Sequence, residues 1–236
     1  MKQLLILSGK GGTGKTTIAG AFIKLYNARA YADCDVDAPN LHLISKHKNL
    51  PKKKDYYGLP KANIDLDLCI ECGLCQANCR FGAIDYQDGY FVDTNACEGC
   101  GVCRLVCPEK TITMKDRISG YTYISETRFG LLSHAFLKPG AESSGKLVNE
   151  VRKNAIELST KNNKDLILID GPPGIGCPLI STITGVDLAV VVTEPTFSAI
   201  QDLKRVFGVN KHFGVKSVVC INKSDINNFN TSKIKE

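Results

Sequence analysis

Five short apolar runs recur along the chain and are separated by longer stretches of mixed polar and apolar residues. Gly, Asp, Pro or Asn bounds each run, and three of the runs are rich in β-branched residues. Uninterrupted apolar runs of this length are typical of parallel strands that are buried on both faces of a sheet. We therefore predict five strands of one sheet, at residues 4–7, 30–32, 166–169, 188–192 and 218–221.

Helical patterns fill several of the stretches between these runs. They lie at residues 15–27, 146–158 and 198–207, where helices would connect parallel strands as crossovers. An alternation of strands and helices predicts an α/β fold, with helices on both faces of a doubly wound, mostly parallel sheet.

Residues 62–118 interrupt this pattern. The segment lacks a long apolar run and carries nine acidic and five basic residues, whereas the whole chain has a net charge of +6. We predict an inserted small α+β domain at 62–118, between two parts of the α/β domain at 1–61 and 119–236. The lysine-rich stretch 46–61 is typical of a solvated linker. A nucleic-acid-binding patch is the alternative, but clustered arginines and a recognised binding module are lacking.

The N-terminus and the cysteine count indicate the compartment. Residues 1–8 form a short apolar run without the cleavage site of a secretory signal. No stretch approaches the roughly 18 consecutive apolar residues of a membrane-spanning helix. We therefore expect a cytoplasmic protein with no membrane span and no nucleic-acid partner. In that reducing compartment, the eleven cysteines favour metal binding over disulfides.

The first apolar run leads into a glycine-rich loop with the pattern G-x-x-x-x-G-K-[ST]. Strand, loop and helix follow in the order of a phosphate-binding loop, whose backbone N–H groups point at phosphate oxygens. In this pattern Lys15 reaches the β- and γ-phosphates, and Thr16 ligates Mg²⁺. The predicted nucleotide-binding residues of the loop are Gly9, Lys10, Gly11, Gly12, Thr13, Gly14, Lys15, Thr16 and Thr17.

Polar residues also follow later runs, at the sheet edge where ligands bind in open α/β folds. Asp33 and Asp35 follow the second run, and Asp170 follows 166–169 in the manner of an acid presented beside Mg²⁺. Asn222 follows the last run and is predicted to read the purine base. Because residues 222–225 also have the Asn-Lys-x-Asp form of GTPases, this motif alone leaves ATP and GTP open.

Cysteines occur in two runs with the same spacing, C-x2-C-x2-C-x3-C, and the second run is followed by proline. This is the spacing of bacterial two-cluster ferredoxins, in which the fourth cysteine of each run serves the other cluster. We predict one [4Fe–4S] cluster on Cys69, Cys72, Cys75 and Cys107, and a second on Cys97, Cys100, Cys103 and Cys79. Zinc is the alternative, but tetrahedral zinc explains two identical four-cysteine runs poorly.

The phosphate loop at 10–17, the acidic stretch at 33–40, the Asp170 stretch and the cysteine runs occur in the order found in one family. The chain resembles the MinD/Mrp-type P-loop ATPases of the SIMIBI class with an inserted two-cluster ferredoxin domain, which are related to the nitrogenase iron protein. The resemblance implies a homodimer that closes around MgATP, with Lys10 reaching the partner's nucleotide. It also implies that Asp35 orients or activates the attacking water. Lys10, Lys15 and Asp35 are therefore the expected catalytic residues.

Two features stand apart from the shared pattern. Cys177 lies where the nitrogenase iron protein has a cysteine for a cluster between subunits, but that family's second such ligand has no clear counterpart here. The chain also ends soon after Asp225, so we expect a truncated C-terminal part.

The combination predicts an ATPase that couples nucleotide-driven dimer closure to electron transfer, or to Fe–S and metallocofactor maturation. An unidentified redox or Fe–S client protein is the expected partner. One alternative is a non-catalytic cluster scaffold or carrier that uses nucleotide as a clamp. A ParA-type positioning switch is the other, although positioning does not require redox centres.

Overall fold

The structure is a computed structural model that describes residues 1–26, 30–141, 144–162 and 165–236. The chain forms two compact units. The first unit comprises Met1–Lys54, Tyr121–Leu137 and Ser144–Glu236, and the second comprises Asp55–Gly120 and Lys138–Ser143. The predicted domain boundaries at 61/62 and 118/119 stay a prediction.

The described residues contain twelve strands and eight helices. The strands are β1 (Lys2–Ser8), β2 (Ala30–Asp33), β3 (Lys52–Tyr57), β4 (Lys61–Ile64), β5 (Ile84–Tyr86), β6 (Tyr90–Val92), β7 (Ile112–Lys115), β8 (Ile118–Thr127), β9 (Gly130–Leu137), β10 (Leu166–Pro173), β11 (Leu188–Thr193) and β12 (Lys216–Ile221). The helices are α1 (Lys15–Tyr26), α2 (Leu41–Ile44), α3 (Leu74–Ala77), α4 (Val102–Val106), α5 (Ser144–Lys161), α6 (Cys177–Ile183), α7 (Phe197–His212) and α8 (Asn228–Lys235).

Eight strands form one sheet in the order β12-β11-β1-β10-β2-β9-β8-β3. Each neighbouring pair from β12 to β9 is parallel, and β1 lies between β10 and β11. The predicted doubly wound, mostly parallel α/β fold is thus confirmed. The five apolar runs became β1, β2, β10, β11 and β12. The first four are inner strands that need apolar side chains on both faces, whereas β12 is a terminal strand whose Val218 and Val219 are 49% and 38% exposed.

Helix α1 packs on this sheet through residues one turn apart. Ala19 and Ile23 are buried, and they belong to the same core cluster as Ile6 of β1, Leu168 of β10 and Val190 of β11. Residues four apart lie on one helix face, so this helix covers the central strands with a single apolar stripe. The packing fixes the start of α1 at the carboxyl end of β1, where the glycine-rich loop lies.

The sheet extends further than the apolar runs indicated. Strands β8 and β9 were not predicted, and β3 lies in the lysine-rich stretch that composition had assigned to a linker. Lys52, Lys53 and Lys54 are exposed on β3, which is the terminal strand of the sheet. Lysines on an edge strand keep the open edge hydrated and discourage pairing with another chain. Residues 52–57 of the predicted linker therefore form a strand of the sheet, although the lysines are solvated as expected.

The second unit contains two antiparallel pairs, β4 with β7 and β5 with β6. Its helices α3 and α4 are single turns that begin at equivalent places in the two cysteine runs. Gly73 and Gly101 precede them with φ values of 76° and 77°, a left-handed conformation that glycine adopts without strain. The repeated spacing in the sequence therefore corresponds to a repeated backbone turn.

None of the helices in the described ranges is both long enough and apolar enough to cross a membrane.

Candidate functional site: a phosphate loop and two cysteine-lined cavities

The glycine-rich loop joins β1 to α1 in the first unit. Gly12 and Gly14 have φ values of 81° and 90°, which residues with a Cβ rarely adopt. Helix α1 begins where the Ile18 N–H donates to the Gly14 carbonyl at 3.0 Å. The Thr13 hydroxyl is buried and has no hydrogen-bond partner among the described residues. A loop of this shape at a helix N-terminus is suited to oxyanions such as phosphate.

Three side chains meet at the end of this loop. Lys15 Nζ lies 2.6 Å from Asp170 Oδ1, and the Thr16 hydroxyl donates to Asp170 Oδ2 at 2.9 Å. The Lys15 and Asp170 side chains are 8% and 1% exposed, so this ion pair is buried. Burial raises the pKa of Asp170, and the ammonium of Lys15 opposes that rise. The hydroxyl and the carboxylate together form a set of hard oxygen donors of the kind that Mg²⁺ prefers.

Asp33 and Asp35 follow β2 beside this group but have different surroundings. Asp33 is fully buried and accepts backbone N–H bonds from Asp35, Asn40 and Leu41 at 3.1, 3.0 and 2.9 Å. Burial, together with the charge of Asp170, raises the pKa of Asp33 to about 7. Asp35 is half-buried, and burial raises its pKa while Lys15 opposes the rise. Asp33 thus holds the loop that carries Asp35.

Lys10 lies at the start of the phosphate loop and pairs within its own chain. Its Nζ lies 2.8 Å from Glu194 Oε1 and within 3.3 Å of the Thr196 hydroxyl. Lys223 Nζ binds the other oxygen of Glu194 at 3.0 Å. Hydrogen bonds from Lys10 and Lys223 lower the pKa of Glu194. The sequence analysis missed Glu194, although its place directly after β11 puts it at the same sheet edge as Asp33 and Asp170.

Asn222 contacts the phosphate loop directly. Its Nδ2 donates to the Thr13 carbonyl at 2.9 Å, and its Oδ1 accepts from the Lys223 N–H at 3.0 Å. A Cβ placed on Gly14 would collide with the Asn222 amide. Asn222 therefore supports the loop in this structure, and its second amide hydrogen and the second lone pair of Oδ1 are left for the predicted reading of a purine base.

The eight cysteines of the two runs line two cavities in the second unit. One cavity is lined by Cys69, Cys72, Cys75 and Cys107. The other is lined by Cys79, Cys97, Cys100 and Cys103. Each cavity therefore takes three cysteines from one run and the fourth cysteine of the other run, which is the grouping predicted from the spacing.

The cysteines surround these cavities and do not converge on a point. Among the described residues, no three His, Cys, Asp or Glu side chains are grouped closely enough to hold a single metal ion. Apolar residues such as Ile84 and Ile112 complete the walls, and the Ala83 N–H donates to Cys79 Sγ at 3.4 Å. Soft thiol donors around an apolar space, with N–H groups near sulfur, fit the requirements of an iron–sulfur cluster.

The remaining three cysteines lie outside both cavities, in the first unit. Cys34 is fully buried, and burial raises the pKa of its thiol. Cys220 on β12 is half-buried, and Cys177 is exposed at the first residue of α6.

Comparisons with known proteins identify both parts of the chain. The 4Fe-4S dicluster domain family matches residues 62–114. The MinD structure from Pyrococcus horikoshii, complexed with Mg-ADP, is 20% identical, has a TM-score of 0.52, and is matched over 99% of this chain and 76% of that chain. The cell division ATPase MinD from Pyrococcus furiosus is 19% identical, with a TM-score of 0.50, over 99% of this chain and 78% of that chain. At these identities the likeness shows the fold.

Similarity along the whole sequence is found with the uncharacterized protein MJ0578 of Methanocaldococcus jannaschii. The two are 38% identical over 233 residues, which cover 97% of this chain and 80% of MJ0578. The predicted resemblance to MinD-type P-loop proteins with an inserted two-cluster domain is thereby confirmed at the level of fold and domain content. In this chain a 4Fe–4S dicluster domain is inserted into a MinD-like P-loop fold, and the chain belongs to the family of MJ0578.

Proposed function

We propose that this protein binds and hydrolyses MgATP as a homodimer, and that the nucleotide cycle controls electron transfer or cluster handling by two [4Fe–4S] clusters. One observation carries the proposal. A phosphate loop with Lys15, Thr16 and Asp170 converging at its end occurs on the same chain as two cavities lined by four cysteines each.

The nucleotide would be held by the loop at 9–17. Backbone N–H groups and the α1 N-terminus bind the phosphates, and Lys15 exchanges Asp170 for the β- and γ-phosphates. Thr16 and Asp170 are the residues that would hold Mg²⁺, which supplies charge neutralisation on the phosphates. Because Asp170 already pairs with Lys15, it keeps that ammonium inside the pocket before nucleotide arrives.

Asp35 is proposed to orient the attacking water. Its carboxylate is half-buried and comes two residues after the end of β2, where Asp33 is paired in register with Asp170 of β10. Asp33 acts as a positioning residue, because its oxygens accept backbone N–H bonds from both ends of the segment 35–41. The proposal thus divides two roles between two carboxylates: the buried Asp33 positions the segment, and the half-buried Asp35 faces the reaction.

Lys10 is proposed to bind the nucleotide of the partner subunit. In the free chain its ammonium is held by Glu194 and two hydroxyl groups. Dimer closure must therefore exchange an internal ion pair for a contact with phosphate. Glu194 is only 15% exposed, but it keeps its second ion pair, with Lys223, when Lys10 leaves. The exchange therefore leaves no unpaired buried carboxylate, and nucleotide can drive it.

The two cavities are proposed to hold one [4Fe–4S] cluster each, which would supply one-electron chemistry when bound. The chain contributes thiolates, an apolar lining and backbone N–H groups that tune the sulfur environment. Burial raises the pKa of the Cys75 and Cys103 thiols, so metal binding has to displace protons from them.

The nucleotide part of the proposal is tested by MgATP turnover. Lys15→Ala and Asp35→Asn should each lower kcat by at least about a hundredfold. Glu157→Gln removes an exposed carboxylate from α5 in the same unit and should leave kcat unchanged. Normal turnover in both pocket variants would refute the site.

The cluster part is tested by anaerobic purification with iron and sulfide analysis and EPR. About eight irons per chain are expected. Cys107→Ala should lose about four of them, although Cys107 belongs to the second sequence run, and Cys220→Ala should lose none. If Cys107→Ala instead lost the EPR signal of the cluster in the cavity lined by Cys79, Cys97, Cys100 and Cys103, the assignment of Cys107 would be contradicted.

A second candidate function is favoured because each cavity has one exposed cysteine. These cysteines are Cys72 and Cys100. An exposed ligand lets an acceptor thiol reach the cluster, as a cluster carrier requires. A carrier would transfer iron to an apo-acceptor protein with a non-hydrolysable ATP analogue present. Electron transfer would leave all iron on this chain after many turnovers.

A further inference from the structure

A groove in the second unit touches both sets of cysteines. It has a volume of about 830 Å³, and its walls are the short helix α4 and strand β7. Cys100 and Cys107 line it, and these residues belong to different cavities. A molecule seated in this groove, here called the α4–β7 groove, would lie against one ligand of each predicted cluster.

The charge of the α4–β7 groove is opposite to that of the domain around it. Residues 62–118 carry nine carboxylates and five cations. Two of those cations, Arg104 and Lys110, line the groove, whereas none of its described lining residues is acidic. Both cations are exposed, and neither forms a salt bridge with any described residue. The groove is thus a local positive site on an acidic domain.

Apolar side chains lie beside the two cations. Leu105 is 84% exposed on α4, and Met114 lines the opposite wall. Together with Ile112, these side chains give the groove an apolar lining beside the two cations, so a docking partner would find both apolar contact and electrostatic selection there.

We propose that the α4–β7 groove is the docking site of an acidic one-electron carrier protein. The proposal rests on the proposed function, because it requires clusters in the two cavities. One electron passes between the carrier and the adjacent cluster, one partner is oxidised as the other is reduced, and no covalent bond is made or broken. Redox encounters of this kind use small interfaces, which a groove of this size can provide.

The charge arrangement explains how such a carrier would be directed. An acidic protein is repelled by the carboxylates over most of residues 62–118 and is attracted by Arg104 and Lys110. Steering of this kind raises association rates by about 10–10³-fold and weakens as salt screens the charges. The acidic domain surface therefore orients the carrier toward the groove.

The experiment uses the anaerobically purified full chain and a strongly acidic flavodoxin as the carrier. Stopped-flow absorbance measures the rate of electron exchange between reduced flavodoxin and the oxidised protein. The Arg104→Glu, Lys110→Glu double variant should react at least about tenfold more slowly at low ionic strength, and the difference should shrink at high salt. The Arg80→Glu, Lys115→Glu double variant changes net charge equally outside the groove and should stay within about twofold of wild type.

A second measurement does not depend on electron transfer. Isothermal titration calorimetry should detect binding of hexacyanocobaltate(III), a redox-inert trianion, to wild type and to the Arg80→Glu, Lys115→Glu variant but not to the groove variant. If charge reversal lowers the iron content of the groove variant, the Arg104→Gln, Lys110→Gln double variant replaces it in both measurements. Equal slowing of both double variants, or no exchange by a protein with all its iron, overturns the docking proposal. Iron-free wild-type protein overturns the proposed function and this proposal with it.

Discussion

The buried pair of Lys15 and Asp170 leads to a stability prediction that needs no nucleotide. The two side chains are 8% and 1% exposed, and their charged atoms are 2.6 Å apart. Lys15→Met removes the cation and leaves Asp170 and the fully buried Asp33 without it. Removal of one partner from a buried ion pair costs about 3–5 kcal/mol. We expect the free energy of unfolding of the nucleotide-free and magnesium-free protein to fall by about this amount at pH 8.

The size of this loss should depend on pH. Burial and the charge of Asp170 raise the pKa of Asp33 to about 7, burial raises that of Asp170, and Lys15 opposes both rises. A carboxyl group whose pKa is raised in the folded state contributes stability at low pH, and this contribution is lost as pH rises through the folded pKa. Without Lys15 both pKa values rise further. The destabilisation by Lys15→Met should therefore be smaller at pH 5.5 than at pH 8.

Urea unfolding followed by far-UV circular dichroism, in EDTA at both pH values, tests this prediction. Lys15→Met with Asp170→Asn removes both charges and should recover at least about half of the loss. Lys2→Met breaks the exposed pair with Asp187 and should change the midpoint little at either pH. A loss below about 1 kcal/mol at pH 8, or an equal loss at both pH values, would show that the pair is not buried as described.

Three further predictions follow from the structure. Gly9→Ala places a Cβ 2.5 Å from the Asp202 Cβ and should destabilise the protein by about 1–3 kcal/mol, which lowers the thermal midpoint by several degrees. The Cβ of Gly11→Ala meets no atom within 4 Å, so this control should leave the midpoint unchanged. Calorimetry of the nucleotide-free protein measures both midpoints. Glu194→Gln releases two lysines and should strengthen ATP-dependent dimerisation by up to about fivefold in analytical ultracentrifugation; weaker dimerisation would contradict the exchange of Lys10 between subunits. Anaerobic iron chelation should expose residues 55–120 to proteolysis and leave the first unit resistant, and uniform cleavage would count against separate units.

The parts of the fold that were predicted depend on local patterns. β1, β2, β10 and β11 are buried on both faces over most of their length, and their apolar runs show this directly. β12 also has an apolar run, but it is a terminal strand and none of its residues is buried. The missed strands have another pattern. β8 alternates between buried and partly exposed positions, and β3 is nearly all exposed, so neither forms a continuous apolar run. Such strands at the side of a sheet are defined by their neighbours, which a single sequence does not display.

In the candidate site too, local features were predicted and contacts between distant segments were missed. The phosphate loop is built from consecutive residues, so its spacing was visible, whereas the partners of its lysines come from distant segments. Glu194 lies 184 residues after Lys10 in the chain, and it was found only when β11 was placed beside β1. Asn222 was noticed for its motif, but its support of the Thr13 carbonyl depends on the same strand order. Contacts between residues that follow different strands depend on the order of those strands in the sheet, so they could not be predicted from spacing in the sequence.

The cysteines of the second unit were easy to predict because they serve chemistry and folding together. The buried core of this unit has seven residues, and three of them are Cys75, Cys97 and Cys103, while the rest are small or aliphatic. A unit of this size buries little apolar surface for its length, so its stability has to come partly from what the thiols hold. Changes in cysteine spacing would therefore disturb the core as well as the clusters. The first unit has a core of strand and helix residues and does not share this dependence, which is why iron loss should separate the two units in stability.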